Sequence, residues 1–182
     1  FMLGKLIKQE DLVGTIDMEG QLKGVGFSYE HAKIDLNAHI KRIGINHYNY
    51  KDVKVEANLA KQMFQGKMMS ADTNAHFSLN GMMDFSQDPY FMDFAADFKH
   101  VNLLKLNILD QPIFFSTKVD LNITGKNLDD FQGDASFSGT YLSNTKKRIF
   151  LDTLKIVTER LEGERYLNLF SDVFDINADG NF

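Results

Sequence analysis

Apolar and polar residues alternate with a period of two through most of the chain, and this leaves few folds open. Successive side chains on an extended strand point to opposite faces. An alternating segment therefore has one apolar face and one wet face. Ile16, Met18 and Leu22 alternate with Asp17, Glu19 and Gln21. Ile34, Leu36, Ala38 and Ile40 alternate with Asp35, Asn37 and His39. Val53, Val55, Ala57 and Leu59 alternate with Lys54, Glu56 and Asn58. Ala75, Phe77 and Leu79 lead through Gly81 to Met83, and Met92, Phe94, Ala96 and Phe98 enclose Asp93 and Asp97.

The second half alternates more cleanly. Phe115, Thr117, Val119, Leu121 and Ile123 alternate with Ser116, Lys118, Asp120 and Asn122. Ala135 and Phe137 are followed by the pairs Leu154 and Ile156, then Leu167 and Leu169. Phe174, Ile176, Ala178, Gly180 and Phe182 close the chain. Buried parallel strands would read as continuous apolar runs, whereas one-sided alternation marks antiparallel strands covered on one face. The expectation is an all-β antiparallel meander over 1–182 as a single repeat domain, with at most one or two short helices.

Turn residues punctuate the pattern at Gln65-Gly66, at Asn127 with Asp129-Asp130, at Ser143-Asn144 and at Glu162-Gly163-Glu164. Pro89 and Pro112 are the two prolines and interrupt no alternating run, as strand ladders require. Val101–Ile108 fits a short helix or a turn-rich connection, and Lys61–Met69 is a second such segment. The chain opens mid-pattern at Phe1-Met2-Leu3-Gly4 and closes on strand-like residues, as expected of a piece cut from a longer protein.

Composition then removes function classes. The net charge of −5 and a single dense basic run, Lys146-Lys147-Arg148, speak against nucleic acid, which needs clustered Lys and Arg to displace counterions. That triplet reads as a solvated turn. The absence of cysteine excludes disulfides, thiolate metal sites and a cysteine nucleophile. It fits a bacterial envelope or cytosolic origin better than a small secreted eukaryotic domain. No apolar run approaches the ~20 residues of a membrane-spanning helix.

No catalytic constellation emerges. The histidines at 31, 39, 47, 76 and 100 share no metal-ligand spacing. Gly20, Gly24 and Gly26 lack the lysine of a phosphate loop. Asp175-Ile176-Asn177-Ala178-Asp179-Gly180 matches the opening of a calcium loop, with Asp175, Asn177 and Asp179 as oxygen ligands. Strand alternation explains all six residues, and the calcium pattern explains half. Neither an enzyme nor a cofactor is expected. What remains is an apolar face rich in Phe and Met, with no long amphipathic helix to cover it. A one-sided sheet must bury that face against something.

The second half resembles the β-repeat region of TamB/AsmA-like proteins of Gram-negative envelopes, in particular those of Bacteroidetes. The resemblance rests on Val119-Asp120-Leu121-Asn122-Ile123-Thr124-Gly125 and Asn127-Leu128-Asp129-Asp130-Phe131-Gln132-Gly133. It continues through Leu151-Asp152-Thr153-Leu154, Glu162-Gly163-Glu164-Arg165-Tyr166-Leu167-Asn168-Leu169 and the closing Asp179-Gly180-Asn181-Phe182. Residues 75–98 look similar with less specificity, and 1–74 match in texture only. The resemblance implies a curved, U-shaped, taco-like sheet with an apolar inside. It also implies a periplasmic protein anchored in the inner membrane at full length. Its groove would shelter lipid acyl chains in transit between membranes, or assist outer-membrane protein assembly.

Candidate lining residues are the alternating ones: Ile16, Met18, Ile34, Leu36, Val53, Val55, Phe77, Leu79, Phe94, Phe98, Val119, Leu121, Ile123, Phe137, Leu154, Ile156, Leu167 and Leu169. Two other readings share the alternation. One is an outer-membrane β-barrel, which the lack of Trp disfavours. The other is a closed β-sandwich acting as a binding or adhesion module.

Overall fold

The computed structural model describes residues 13–26, 31–126, 130–161 and 164–180. Among the described residues eleven strands follow in chain order: β1 (Val13–Val25), β2 (Lys33–Ile45), β3 (Tyr48–Ala60), β4 (Met63–Asp72), β5 (Ala75–Asp84), β6 (Phe91–Asn102), β7 (Phe114–Thr124), β8 (Gln132–Ser143), β9 (Arg148–Leu161), β10 (Glu164–Ser171) and β11 (Asp175–Gly180). They form one antiparallel meander in which sheet order equals chain order, and β1 and β11 do not meet to close a barrel. The all-β meander expected from the alternation is the observed fold. Among the described residues there is no helix.

Three consecutive hairpins turn on two residues each: Asn46-His47, Lys61-Gln62 and Thr73-Asn74. The first two pairs sit at positive φ, 49° and 62° for Asn46 and His47, and 51° and 62° for Lys61 and Gln62. This geometry matches the twist of the flanking strands. The turn expected at Gln65-Gly66 is not there, because both residues lie inside β4. Gly66 instead stands opposite Ala57 and Gly81. The segment Lys61–Met69 is accordingly a two-residue turn followed by strand. Val101–Ile108 ends β6 and continues as turns rather than a helix. Ser143-Asn144 does mark the end of β8. Asn127, Asp129, Glu162 and Gly163 lie outside the described residues, as do Phe1 to Gly4, Asn181 and Phe182.

Bulges re-aim the apolar face where strict alternation would lose it. Ile40 and Ile43 on β2, like Val53 and Tyr50 on β3, differ by an odd number of residues. They nevertheless pack in one cluster, because residues 41–42 and 51–52 both face outward. Asp52 takes a φ of 53° to do so. Lys99 and Gly139 fall at comparable register shifts between β6 and β7 and between β7 and β8. Each inserts an extra residue and keeps the side chains beyond it on the same side.

Six of the nine buried apolar residues among those described form two small clusters, and Ala32, Ala38 and Ile123 lie outside them. Ile40, Val53 and Val55 gather Ile16, Leu36 and Met68 around them. Ala75, Val101 and Leu106 gather Tyr48, Tyr50, Phe77, Phe98 and Phe115. No large side chain among the described residues is fully buried. The sheet is thus a single layer without a sealed core.

Candidate functional site: the apolar face

Register carries the alternation of single strands into rows that cross the whole sheet. Leu22, Leu36, Ala57, Gly66, Gly81, Phe94, Leu121, Ala135, Ile156, Leu169 and Ile176 stand opposite one another in unbroken succession. One residue comes from each strand, and none is polar. A second row runs Ala38, Val55, Met68, Leu79, Ala96, Val119, Phe137, Leu154. A third runs Ile34, Leu59, Phe64, Met83, Met92, Ile123, with Leu167 opposite Ala178 further along. Met18, Ile40, Val53, Ser70, Phe77, Phe98 and Thr117 make a fourth. Every candidate lining residue falls on this one face, Ile16 joining through its contact with the Ile40 cluster.

The face is open to different degrees along its length. Val53, Val55 and Ile123 are buried, Met18 is exposed, and the other candidates are half-buried. In a closed sandwich such residues would be sealed by a second layer.

One end of the face is covered by the connection between β6 and β7, residues 103–113. Leu106 of this strap is only 2% exposed, against Ala75 and Val101. Beneath it lies a polar knot built on Asp72, which is 5% exposed. The Tyr48 hydroxyl donates to Asp72 Oδ1 at 2.6 Å, the Asn74 amide donates to the same oxygen at 2.8 Å, and the Lys51 amide donates to Oδ2 at 3.0 Å. A buried carboxylate with three donors is stable where an unpaired one would not be. Burial, and then the hydrogen bond to this carboxylate, push the Tyr48 phenol above its ordinary value. The alternation gave no hint of this knot. Its signal is the polar series Ser70, Asp72 and Asn74, which breaks the apolar pattern of β4 near a turn.

At the opposite end, on the C-terminal side, two arginines stand on the same face. Arg165 lies opposite Arg160 in the β9–β10 ladder, two residues beyond Leu167. Arg165 is buried and donates from Nη2 to the Phe131 carbonyl at 3.4 Å. Sequence reasoning passed over this pair.

The other face is polar and laced with ion pairs. Lys41 pairs with Glu19 at 2.9 Å and Lys126 with Asp88 at 2.6 Å, and His39 is hydrogen bonded to Asp52 at 2.6 Å. A depression of about 530 Å³ sits on this side, where Ser78, Ala95, Ser136 and Ser138 are short and Lys67, Met69 and Lys118 are long. Asp97 and Lys118 oppose each other in register there. The hollow is a dip between unequal side chains on a solvated face.

The segment matching a calcium loop is strand β11. Its Asp175, Asn177 and Asp179 stand opposite Phe170, Asn168 and Tyr166 in an extended ladder. A calcium loop curls its oxygens around the ion, and an extended strand spreads them apart. Among the described residues no cluster of acidic, histidine or cysteine side chains could hold a metal ion, and no helix is long and apolar enough to cross a membrane. No protein-family model, no curated protein and no solved structure matches this chain.

Proposed function

We propose that this chain is a non-enzymatic segment of a TamB/AsmA-like envelope protein, whose apolar face shelters lipid acyl chains in the periplasm. The full-length protein would be anchored in the inner membrane. It would move phospholipid between membranes, assist outer-membrane protein assembly, or do both. The observation that carries this reading is the uninterrupted apolar row through all eleven strands of an open sheet with no sealed core. Acyl surface laid along it would leave water at roughly 25 cal/mol per Å². The side chains are mostly aliphatic, Met and Phe, which pack adaptably and without headgroup specificity. The open edges favour this reading over a barrel, which needs strand closure. The single layer favours it over a sandwich.

The test is to purify the chain without detergent, extract it with organic solvent and identify what is released by mass spectrometry. Phospholipid in the extract is the expected result. Protein that emerges lipid-free and also takes up no fluorescent fatty acid would overturn the reading.

A further inference from the structure

The two ends of the sheet differ in what their turns expose. The turns β2–β3, β4–β5, β6–β7, β8–β9 and β10–β11 share one end. Turn tips are ordinarily Gly, Pro, Asn, Asp or Ser, chosen for conformation and solvation. At this end two tips are apolar instead. Ile108 and Leu109 stand 54% and 43% exposed on the β6–β7 strap. Val173 and Phe174 stand 68% and 42% exposed on the β10–β11 turn. Neither tip is loose. The Ile108 amide donates to the Leu103 carbonyl at 3.0 Å. Ser171 Oγ accepts from the Val173 and Phe174 amides at 3.1 and 2.8 Å.

Between these two tips lies the β8–β9 turn, which carries Lys146, Lys147 and Arg148, all exposed. The Asn144 side chain holds that turn by accepting from the amides of Lys146 and Lys147 at 2.9 and 2.7 Å. Alternate turns along a sheet edge are two strand spacings apart, about 10 Å. The end therefore reads as apolar tip, basic tip, apolar tip, with Asp110 and Asp172 exposed beside the two apolar tips and three adjacent cations between them. At the opposite end the fully described turns expose Lys61 and Ser86–Tyr90, and the strand ends Val25, Met63 and Leu161 are exposed as well, but among the described residues no run of adjacent basic residues stands beside them.

Exposed apolar side chains interleaved with a basic cluster, in a chain of net charge −5, match an anionic lipid surface. The apolar tips enter the headgroup boundary, and the cations meet lipid phosphates. We propose that this end of the sheet seats on an anionic phospholipid bilayer through Ile108, Leu109, Val173 and Phe174, with Lys146, Lys147 and Arg148 supplying the charge. The seating stands on the turns alone. That it also marks the end where acyl chains pass between bilayer and sheet rests on the function proposed above.

The chain has no tryptophan, so one introduced indole reports from one place. Leu109→Trp marks the seated end and Met63→Trp the opposite end. Each protein is mixed with vesicles of phosphatidylcholine alone, or of equal parts phosphatidylcholine and phosphatidylglycerol. The expected result is a blue shift of the Leu109→Trp emission, and its quenching by brominated acyl chains, with the mixed vesicles only. The Met63→Trp emission should not move. Replacing Lys146, Lys147 and Arg148 together by Gln should lower partitioning about a hundredfold, given the usual contribution per basic residue near such a surface. Val173→Asp should lower it about tenfold. Absence of vesicle binding, or equal blue shifts at both ends, would overturn the seating. Vesicle binding by protein that takes up no fatty acid would keep the seating and sink the groove.

Discussion

Asn46 and Asn107, sixty-one residues apart, hold each other by a reciprocal pair of hydrogen bonds. Asn46 Nδ2 donates to the Asn107 carbonyl at 2.7 Å, and Asn107 Nδ2 donates to the Asn46 carbonyl at 3.0 Å. Both residues sit at positive φ, 49° and 57°, a region Asn tolerates better than most residues. The pair ties the β2–β3 turn to the strap across the ends of β4 and β5, where no strand ladder joins them. Breaking it by Asn46→Ala or Asn107→Ala should cost about 1–2 kcal/mol, with a coupling of about 1 kcal/mol in the double-mutant cycle. Asn107→Gly separates the lost hydrogen bond from backbone strain, because Gly accepts the conformation. Hydrogen exchange is the direct readout. The amides of Leu106 and Ile108, bonded to the carbonyls of Asn102 and Leu103, should lose protection in each variant. Unchanged exchange would mean that the strap is held by Leu106 alone.

Under the strap, Tyr48 should make stability fall in alkali. Its phenol is shifted upward in the folded protein, first by burial and then by the bond to Asp72. A group whose folded value is raised contributes stability in full below its unfolded value, about 10 for tyrosine. That contribution is lost as pH rises through the raised folded value. Tyr48→Phe should cost about 2 kcal/mol at neutral pH, the scale of a hydrogen bond to a charged acceptor. It should also flatten the alkaline limb. Urea midpoints from neutrality to above pH 10, beside absorbance titration of the phenols, test both parts. A variant with an alkaline limb as steep as the parent's would assign the loss to other tyrosines.

The Lys61-Gln62 turn is a place where stability can be gained. Two non-glycine residues occupy left-handed conformations there, each unfavourable by about 1 kcal/mol relative to residues that accept them. Asn-Gly suits this turn type best. Lys61→Asn with Gln62→Gly should raise stability by about 1 kcal/mol, which for this chain length is a rise of about 2–4 °C in Tm. Calorimetry that finds no rise, or a fall, would mean that Gly's extra freedom in the unfolded chain cancels the relief.

That turn also shows where the sequence stops being legible. Alternation set the strands and the inner face because period two leaves a side chain no choice of side. Turn residues were a weaker guide and misplaced a turn at Gln65-Gly66. A Gly opposite another Gly in mid-sheet looks like a turn residue when no partner strand is in view. Here Gly81 is needed because a Cβ would strike the Phe94 ring and the Asp93 backbone. Lys-Gln carries no turn signature, so the real hairpin was invisible. The bulges at residues 41–42, 51–52 and 99 shift the alternation without a compositional mark, whereas Gly139, at a φ of 58°, carries one. The Asp72 knot and the Asn46–Asn107 clasp join residues that only tertiary structure brings together. Arg160 and Arg165 meet only in the β9–β10 register, and nothing in either segment's own pattern marks them as a pair.

The sharpest check on the apolar face uses neighbouring residues of β7. Leu121 lies in the eleven-residue row between Phe94 and Ala135. Asn122 lies one step on, facing outward between Asp93 and Asp134. Because adjacent strand residues point to opposite sides, one substituent can be presented to each face at almost the same depth in the sheet. Leu121→Lys should cost about 2–3 kcal/mol in stability, from lost burial. It should also weaken uptake of a fluorescent fatty acid by at least about tenfold, since a charge in the path must be desolvated. Asn122→Lys, with a carboxylate on either side, should leave the fold and the uptake unchanged. Leu121→Met, nearly equal in volume, should restore uptake close to the parent's. Titration of the three variants with the probe, alongside urea denaturation, separates binding from stability. Equal loss from Leu121→Lys and Asn122→Lys would show that the probe does not distinguish the faces, and the apolar row would then be no more than the packing side of the sheet.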